Sequence, residues 1–189
     1  MYKELSLKIT GSVPLILHNG QTADPLNPHT KSIAEITGKT KKTDADHREV
    51  ARREFYASLY TDEGRVCIPW EMAEALLING AKKKRRGPDA KAGIIVENNS
   101  ILEYEGPTSI DELWANEKFR IRVPVIVKRN RVIRTRPIFH NWGLTITVKY
   151  LDEMLNPHHI FEFAEDGGKY HGFGDWRPRY GRFTVALQS

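Results

Sequence analysis

The residues best equipped for chemistry lie near the end of the chain, at residues 172–183, where GFGDWRPRYGRF packs glycines, arginines and aromatic rings into twelve positions. Glycine lets a backbone turn through positive φ and approach a ligand closely, an arginine fork fits a phosphate, and aromatic rings stack on bases. In this reading Gly172, Gly174 and Gly181 shape the loop, Arg177 and Arg179 meet phosphate, and Trp176, Tyr180 or Trp142 stacks on or wedges between bases; the alternative for Trp176 is to hold the loop with Asp175 and Arg182. The plain alternative is a tight turn leading into a last strand over residues 182–188.

Two further stretches carry positive charge. Lys82, Lys83, Lys84, Arg85 and Arg86 run consecutively into Gly87-Pro88. Residues 118–136 hold eight cations (Lys118, Arg120, Arg122, Lys128, Arg129, Arg131, Arg134 and Arg136) and no carboxylate. Such a set repels itself unless an anion arrives, so Arg120, Arg122, Arg134 and Arg136 join the lysine block as phosphate-binding candidates; the competing readings are a solvated run and a solvated sheet face. For catalysis the candidates are His18 or His29 as a general base and Asp24 for metal-assisted cleavage. Against them stands the ordinary reading of a hydrogen-bonded structural histidine and solvated loop residues, because no second histidine or paired carboxylate has a supporting spacing. The His158-His159 doublet has no carboxylate at ligand spacing, so neither a metal nor a cofactor is read.

The chain has 189 residues, a formal net charge of +5 and a pI near 9.3, with cations and carboxylates in separate blocks. Its length favours one domain over residues 1–189, with residues 21–46 and 82–117 as insertions or excursions. The single cysteine, Cys67, sits in an apolar context and allows no intramolecular disulfide, which fits a reducing, cytoplasmic compartment. No apolar run approaches the roughly 18 residues of a membrane span, and MYKELSLKIT lacks the apolar core of a signal peptide, so no membrane partner is expected.

These candidates need elements to position them. Alternation predicts strands over residues 2–10, 119–127 and 144–150, and a return strand over residues 131–138 makes a basic hairpin. A short buried strand is expected at residues 65–69, and two more around Asn98-Asn99 in a hairpin-like arrangement. Helices are predicted over residues 46–60, capped by Asp46, over residues 70–81, and over 109–115 behind an approximate capping box. A last helix starts at Asn156-Pro157 and is expected to stop at Gly167-Gly168.

Strand, insertion with helices, strand pair, helix, glycine-rich turn and strand form the order of an α+β, ferredoxin-like or RRM-like β-α-β-β-α-β core with an expanded first crossover and a basic β-hairpin. An open sheet face bearing basic and aromatic groups is how the RRM form of this fold holds single-stranded RNA. The first strand LKITGSVPLILHNG, the strand-proline-helix segment GRVCIPWEMAEALLINGAKK and the loop GFGDWRPRYGRF after the final helix together resemble the RAMP superfamily, the RRM-like proteins of CRISPR systems, and within it the backbone subunits of effector complexes. The resemblance implies a guide-RNA partner, copies of the protein side by side, other effector subunits, and RNA-backbone contacts at Gly172, Gly174, Arg177, Arg179 and Gly181. A stand-alone relative fits the same likeness. The expected function is a non-catalytic RNA-binding protein that oligomerises along single-stranded or guide RNA through roughly six to ten phosphates. The alternatives are a RAMP-type endoribonuclease and a structural or assembly protein that binds acidic partners.

Overall fold

A computed structural model describes residues 1–127 and 129–188; Lys128, counted above among the hairpin cations, and Ser189 lie outside the described residues. The protein is a mixed α+β structure with antiparallel sheets. In chain order the strands are Tyr2–Gly11 (β1), Leu15–Ile16 (β2), Thr61–Asp62 (β3), Arg65–Ile68 (β4), Ile94–Ile95 (β5), Ser100–Ile101 (β6), Glu103–Tyr104 (β7), Arg120–Val127 (β8), Asn130–Phe139 (β9), Trp142–Leu151 (β10) and Phe183–Leu187 (β11). The α-helices are Pro28–Thr37 (α1), Asp44–Ser58 (α2), Trp70–Lys83 (α3), Gly87–Gly93 (α4), Ile110–Ala115 (α5) and Pro157–Tyr170 (α6).

The chain divides into two compact units, the first made of Met1–Leu15, Thr61–Glu105 and His140–Ser189, the second of Ile16–Tyr60 and Gly106–Phe139. Residues 21–46 lie wholly in the second unit, whereas residues 82–117 are split between the two.

The first unit is built on a sheet of order β11-β1-β10-β5, with the short β7 also on β10. Period-two alternation sends Leu7, Ile9, Leu144, Ile146 and Val148 to the buried side, each fully out of solvent. Leu7 pairs with Ile146 and Ile9 with Leu144, so the apolar stripes of the two central strands coincide. Helices α3 and α6 cross closely: a Cβ on Gly80 would stand 1.9 Å from the Phe163 carbonyl oxygen, and one on Gly167 would stand 2.7 Å from a Leu76 methyl. This explains why α6 does not stop at its glycine pair. Gly167 and Gly168 are both buried, and the helix runs through them to Tyr170, so their missing side chains serve packing rather than termination. Phe173 and Phe183 stack at 5.1 Å beside Trp142 and close one end of this core. Cys67 is buried on β4, and burial pushes its thiol up to about 11, with the Asp62 carboxylate adding to the effect.

The strands around Asn98-Asn99 do not form a hairpin with each other. The stretch 93–96 holds β5, which pairs with β10, and the stretch 101–104 is divided between β6, which pairs with β4, and β7, which pairs with β10. No helix of the described residues is long and apolar enough to cross a membrane.

The second unit joins α1, α2 and α5 to the β8–β9 hairpin. The N-cap of α2 is Thr43 rather than Asp46: the Thr43 hydroxyl accepts from the Asp46 N–H and the Asp46 carboxylate accepts from the Thr43 N–H, a reciprocal capping box. Residues 28–37, in a stretch with weak periodicity, form α1 behind an Asn27 side-chain cap and Pro28. Phe55 and Ala57 of α2, with Leu113 of α5 and Phe139 of β9, are fully buried and anchor this unit.

Candidate nucleic-acid interface

Charge separates the two units. The first contains fourteen Lys and Arg against fifteen Asp and Glu, a net of −1; the second contains fifteen against nine, a net of +6. The site is therefore best built from the second unit.

Arg48 and Arg52 stand four residues apart on the exposed side of α2, which places them one above the other. Arg120 and Arg122, two apart on β8, point to one face of the hairpin. With Trp114 from α5 these four arginines line an open groove of about 980 Å³, which also holds His47 and the three carboxylates Asp44, Glu49 and Glu117. Two of the arginines are fixed by neighbours. The Arg120 guanidinium lies 4.6 Å from the centre of the Trp114 ring and donates to Glu117 at 2.8 Å. Arg52 lies 4.9 Å from the Tyr56 ring centre and 3.6 Å from Glu49. Arg48 and Arg122 are exposed and have no hydrogen bond or ion pair to another described residue. The groove thus offers two guanidinium groups preset by aromatic stacking and two that are unengaged, an arrangement suited to phosphate oxygens.

Arg134 and Arg136 are not part of this groove. In the β8–β9 register Val123 faces Arg134 and Ile121 faces Arg136, whereas Arg122 faces Thr135, so the hairpin arginines divide between its two faces. On the second face Arg134 donates to Glu54 at 2.6 Å, and the Thr135 N–H donates to the other oxygen of the same carboxylate at 2.9 Å. Glu54 is 5 % exposed, so this is a buried carboxylate whose two oxygens are both engaged. Arg136 donates to the Thr135 carbonyl at 3.2 Å and lies 3.5 Å from the Ser58 hydroxyl. A cleft of about 410 Å³ opens on this face, lined in part by His18, Thr22, Thr30, Glu54, Arg134 and Arg136. Of the nuclease candidates only His18 reaches it. Asp24 is exposed, where its side chain accepts the Leu26 N–H at 2.8 Å, and His29 is exposed at the start of α1. Among the described residues no group of three His, Cys, Asp or Glu side chains is arranged to hold a metal ion.

In the first unit the lysine block is largely occupied. Lys82 donates to Asn79 at 2.8 Å, and Lys83 lies 4.8 Å from the Tyr170 ring centre. Lys84 meets Glu162 at 3.1 Å, which raises its pKa and holds the Glu162 carboxyl below the usual range. Arg86 donates to Asp89 at 3.0 Å and to the Met154 carbonyl at 2.8 Å, and it touches the His159 ring at 2.7 Å; burial, then this cation, lowers the histidine pKa. Only Arg85, at φ +58°, stands without such a bond among the described residues.

The loop after α6 folds on itself. Gly172, Gly174 and Gly181 have φ of +74°, +75° and +74°. A Cβ on Gly181 would lie 1.8 Å from the Phe173 carbonyl oxygen, and the Phe173 N–H donates to the Gly181 carbonyl at 2.9 Å. Trp176, itself at φ +55°, and Tyr180 meet with ring centres 6.0 Å apart at the tip. Arg177 and Arg179 are exposed on either side of Pro178 and bond to no other described side chain. The open side of the main sheet differs from an RRM stacking surface. Ser6, Lys8, Thr145 and Thr147 occupy its middle; Lys8 is paired with Glu103, and Lys149 with Glu97 at 2.6 Å.

No family model matches the chain, and no curated protein matches it. The residues of these two faces that the sequence did not single out as site candidates are Arg48, Arg52, Trp114 and Glu54. The i, i+4 arginine pair on a predicted amphipathic helix was a usable signal for the first two; the partnership of Trp114 with Arg120 and of Glu54 with Arg134 exists only in the folded hairpin.

Proposed function

We propose that the protein is a non-catalytic RNA-binding protein whose principal contact is the arginine groove of the second unit. The observation that carries this reading is the convergence of Arg48, Arg52, Arg120 and Arg122 on one groove, in a unit of net charge +6. The four guanidinium groups outnumber the groove's three carboxylates, and the unit as a whole carries fifteen cations against nine carboxylates, an excess held more favourably with a polyanion present. The antiparallel order β11-β1-β10-β5, with α3 between β1 and β5 and α6 between β10 and β11, supports reading the first unit as a ferredoxin-like core. That topology is also the support for the likeness to RAMP proteins. Under this reading copies of the protein lie along one RNA strand, and the exposed Ile126 and Ile133, on the groove face of the hairpin, supply apolar area for contact between copies.

Fluorescence anisotropy with a labelled single-stranded RNA tests the proposal. Four phosphate contacts predict an affinity loss of about fifty-fold between 50 and 200 mM salt. Arg48→Glu, Arg52→Glu and Arg122→Glu together should weaken binding at least a hundredfold with the thermal midpoint retained. RNA affinity unchanged in the folded triple variant, or insensitive to salt, would rule the groove out.

A further inference from the structure

The cleft on the Glu54 face of the hairpin has no part in the RNA reading, and its chemistry is that of a small-ligand site. Its volume of about 410 Å³ falls within the roughly 300–1,000 Å³ of ligand pockets. Donors stand on the hairpin side. Arg134, 29 % exposed at its side chain, gives one N–H to Glu54 and bonds to no other described residue. A guanidinium has five N–H donors, so most of this fork is unspent, and Arg136 lines the cleft two residues on. Glu54 is the one carboxylate among the described lining residues, and both of its oxygens are engaged. The lining therefore carries two positive charges against one negative, with His18 beside them.

Acceptors stand on the helix side. The hydroxyls of Thr22 and Thr30 donate to the carbonyls of Asn19 and Thr22, at 3.1 and 3.2 Å. With its proton directed into the protein, each hydroxyl offers the cleft an oxygen lone pair, which suits a ligand O–H. Ile33, Ala34 and Val125 add an apolar wall.

From these three surfaces we infer that the cleft binds a hydroxylated phosphate monoester of the nucleoside monophosphate class. The phosphate lies on Arg134 and Arg136, the ribose hydroxyls on the Thr22 and Thr30 oxygens, and the base against Ile33 and Val125. A free nucleotide and the phosphorylated terminal nucleotide of an RNA strand share this chemistry.

Isothermal titration of the full chain with uridine monophosphate, uridine and inorganic phosphate tests the assignment. Uridine monophosphate should bind at least tenfold more tightly than either of the others. Val125→Trp, which fills the cleft, should cut that affinity at least tenfold; Arg134→Lys, which keeps a cation beside Glu54 without the fork, should cut it about fivefold, and either variant that retains its thermal midpoint suffices. A 5′-phosphorylated RNA oligomer competing tenfold better than its 5′-hydroxyl counterpart points to the strand end, and equal competition points to the free nucleotide. Uridine monophosphate binding no better than uridine, or binding unchanged in a folded variant, overturns the inference. The Arg48, Arg52, Arg122 triple variant should bind uridine monophosphate as the parent does, so loss of either reading leaves the other standing.

Discussion

In the first unit Lys8, Lys84, Arg86 and Lys149 each end on a carboxylate, whereas in the second Arg48 and Arg122 end in solvent, beside Arg52 and Arg120 that are braced by aromatic rings. Two units of one chain thus treat the same side chains differently. Apart from Arg85, Arg177 and Arg179, the cations described in the first are used locally, to tie α3 to α6 and to cover a sheet face. Those in the second are accumulated beyond what the unit neutralises, and such accumulation points to an external anion. A consecutive run of five cations, Lys82 to Arg86, is thus largely taken up by its neighbours, whereas arginines dispersed over a helix and a strand leave two ends open.

Four perturbations would break or sharpen this contrast. The largest effect is expected within the second unit itself. Arg134→Met strands the buried Glu54 carboxylate and should cost about 3–5 kcal/mol in urea unfolding; an unchanged midpoint would mean that the buried carboxylate does not depend on Arg134. In the first unit, Gly80→Val drives a side chain into the Phe163 carbonyl and should cost about 1–3 kcal/mol, while RNA affinity measured below the transition stays at the parental value. Loss of RNA affinity in the folded Gly80→Val protein would move the interface towards the first unit. Arg177→Glu with Arg179→Glu should lower RNA affinity only about threefold, some 0.7 kcal/mol, with thermal stability retained. A loss as large as that of the groove variant would restore the closing loop as the main contact; no loss at all would make it a turn.

The smallest effect is a pH dependence at the start of α2. Lys39 first, then the Thr43 backbone and hydroxyl, hold the Asp46 carboxyl well below its ordinary value. A group depressed in the folded state stabilises above its unfolded pKa, near 3.9, and loses that contribution as pH falls below it. The difference in thermal midpoint between the parent and Asp46→Asn should therefore be constant from pH 7 to pH 5 and shrink below pH 4. A difference that instead grows in acid would contradict the ion pair.

What was legible in the sequence followed local periodicity. β10 alternates cleanly from Leu144 to Tyr150, α3 begins behind Pro69, and the two strands of the basic hairpin fall within a residue or two of their expected ends. Signals failed where a residue had two uses. Gly167-Gly168 has the form of a helix stop, yet Leu76 and Phe183 need the space of two missing side chains there. Residues 93–96 and 101–104 read as partners because they are close in sequence, but β5 and β7 meet β10 and β6 meets β4. The arginine groove was half visible: Arg120 and Arg122 stood out, while Arg48 and Arg52 were hidden on a helix where charges are commonplace.

The division of the hairpin arginines has a consequence for how the hairpin finds its place. Strand side chains alternate with a period of two, so a one-residue slip of β9 against β8 would turn Arg134 away from Glu54 and bring it round to the side of Arg122. That misaligned state would crowd like charges together and abandon a carboxylate in the interior. The Glu54–Arg134 pair thereby favours one alignment of the two strands over its neighbour, and the same alignment keeps Arg134 and Arg122 on opposite faces.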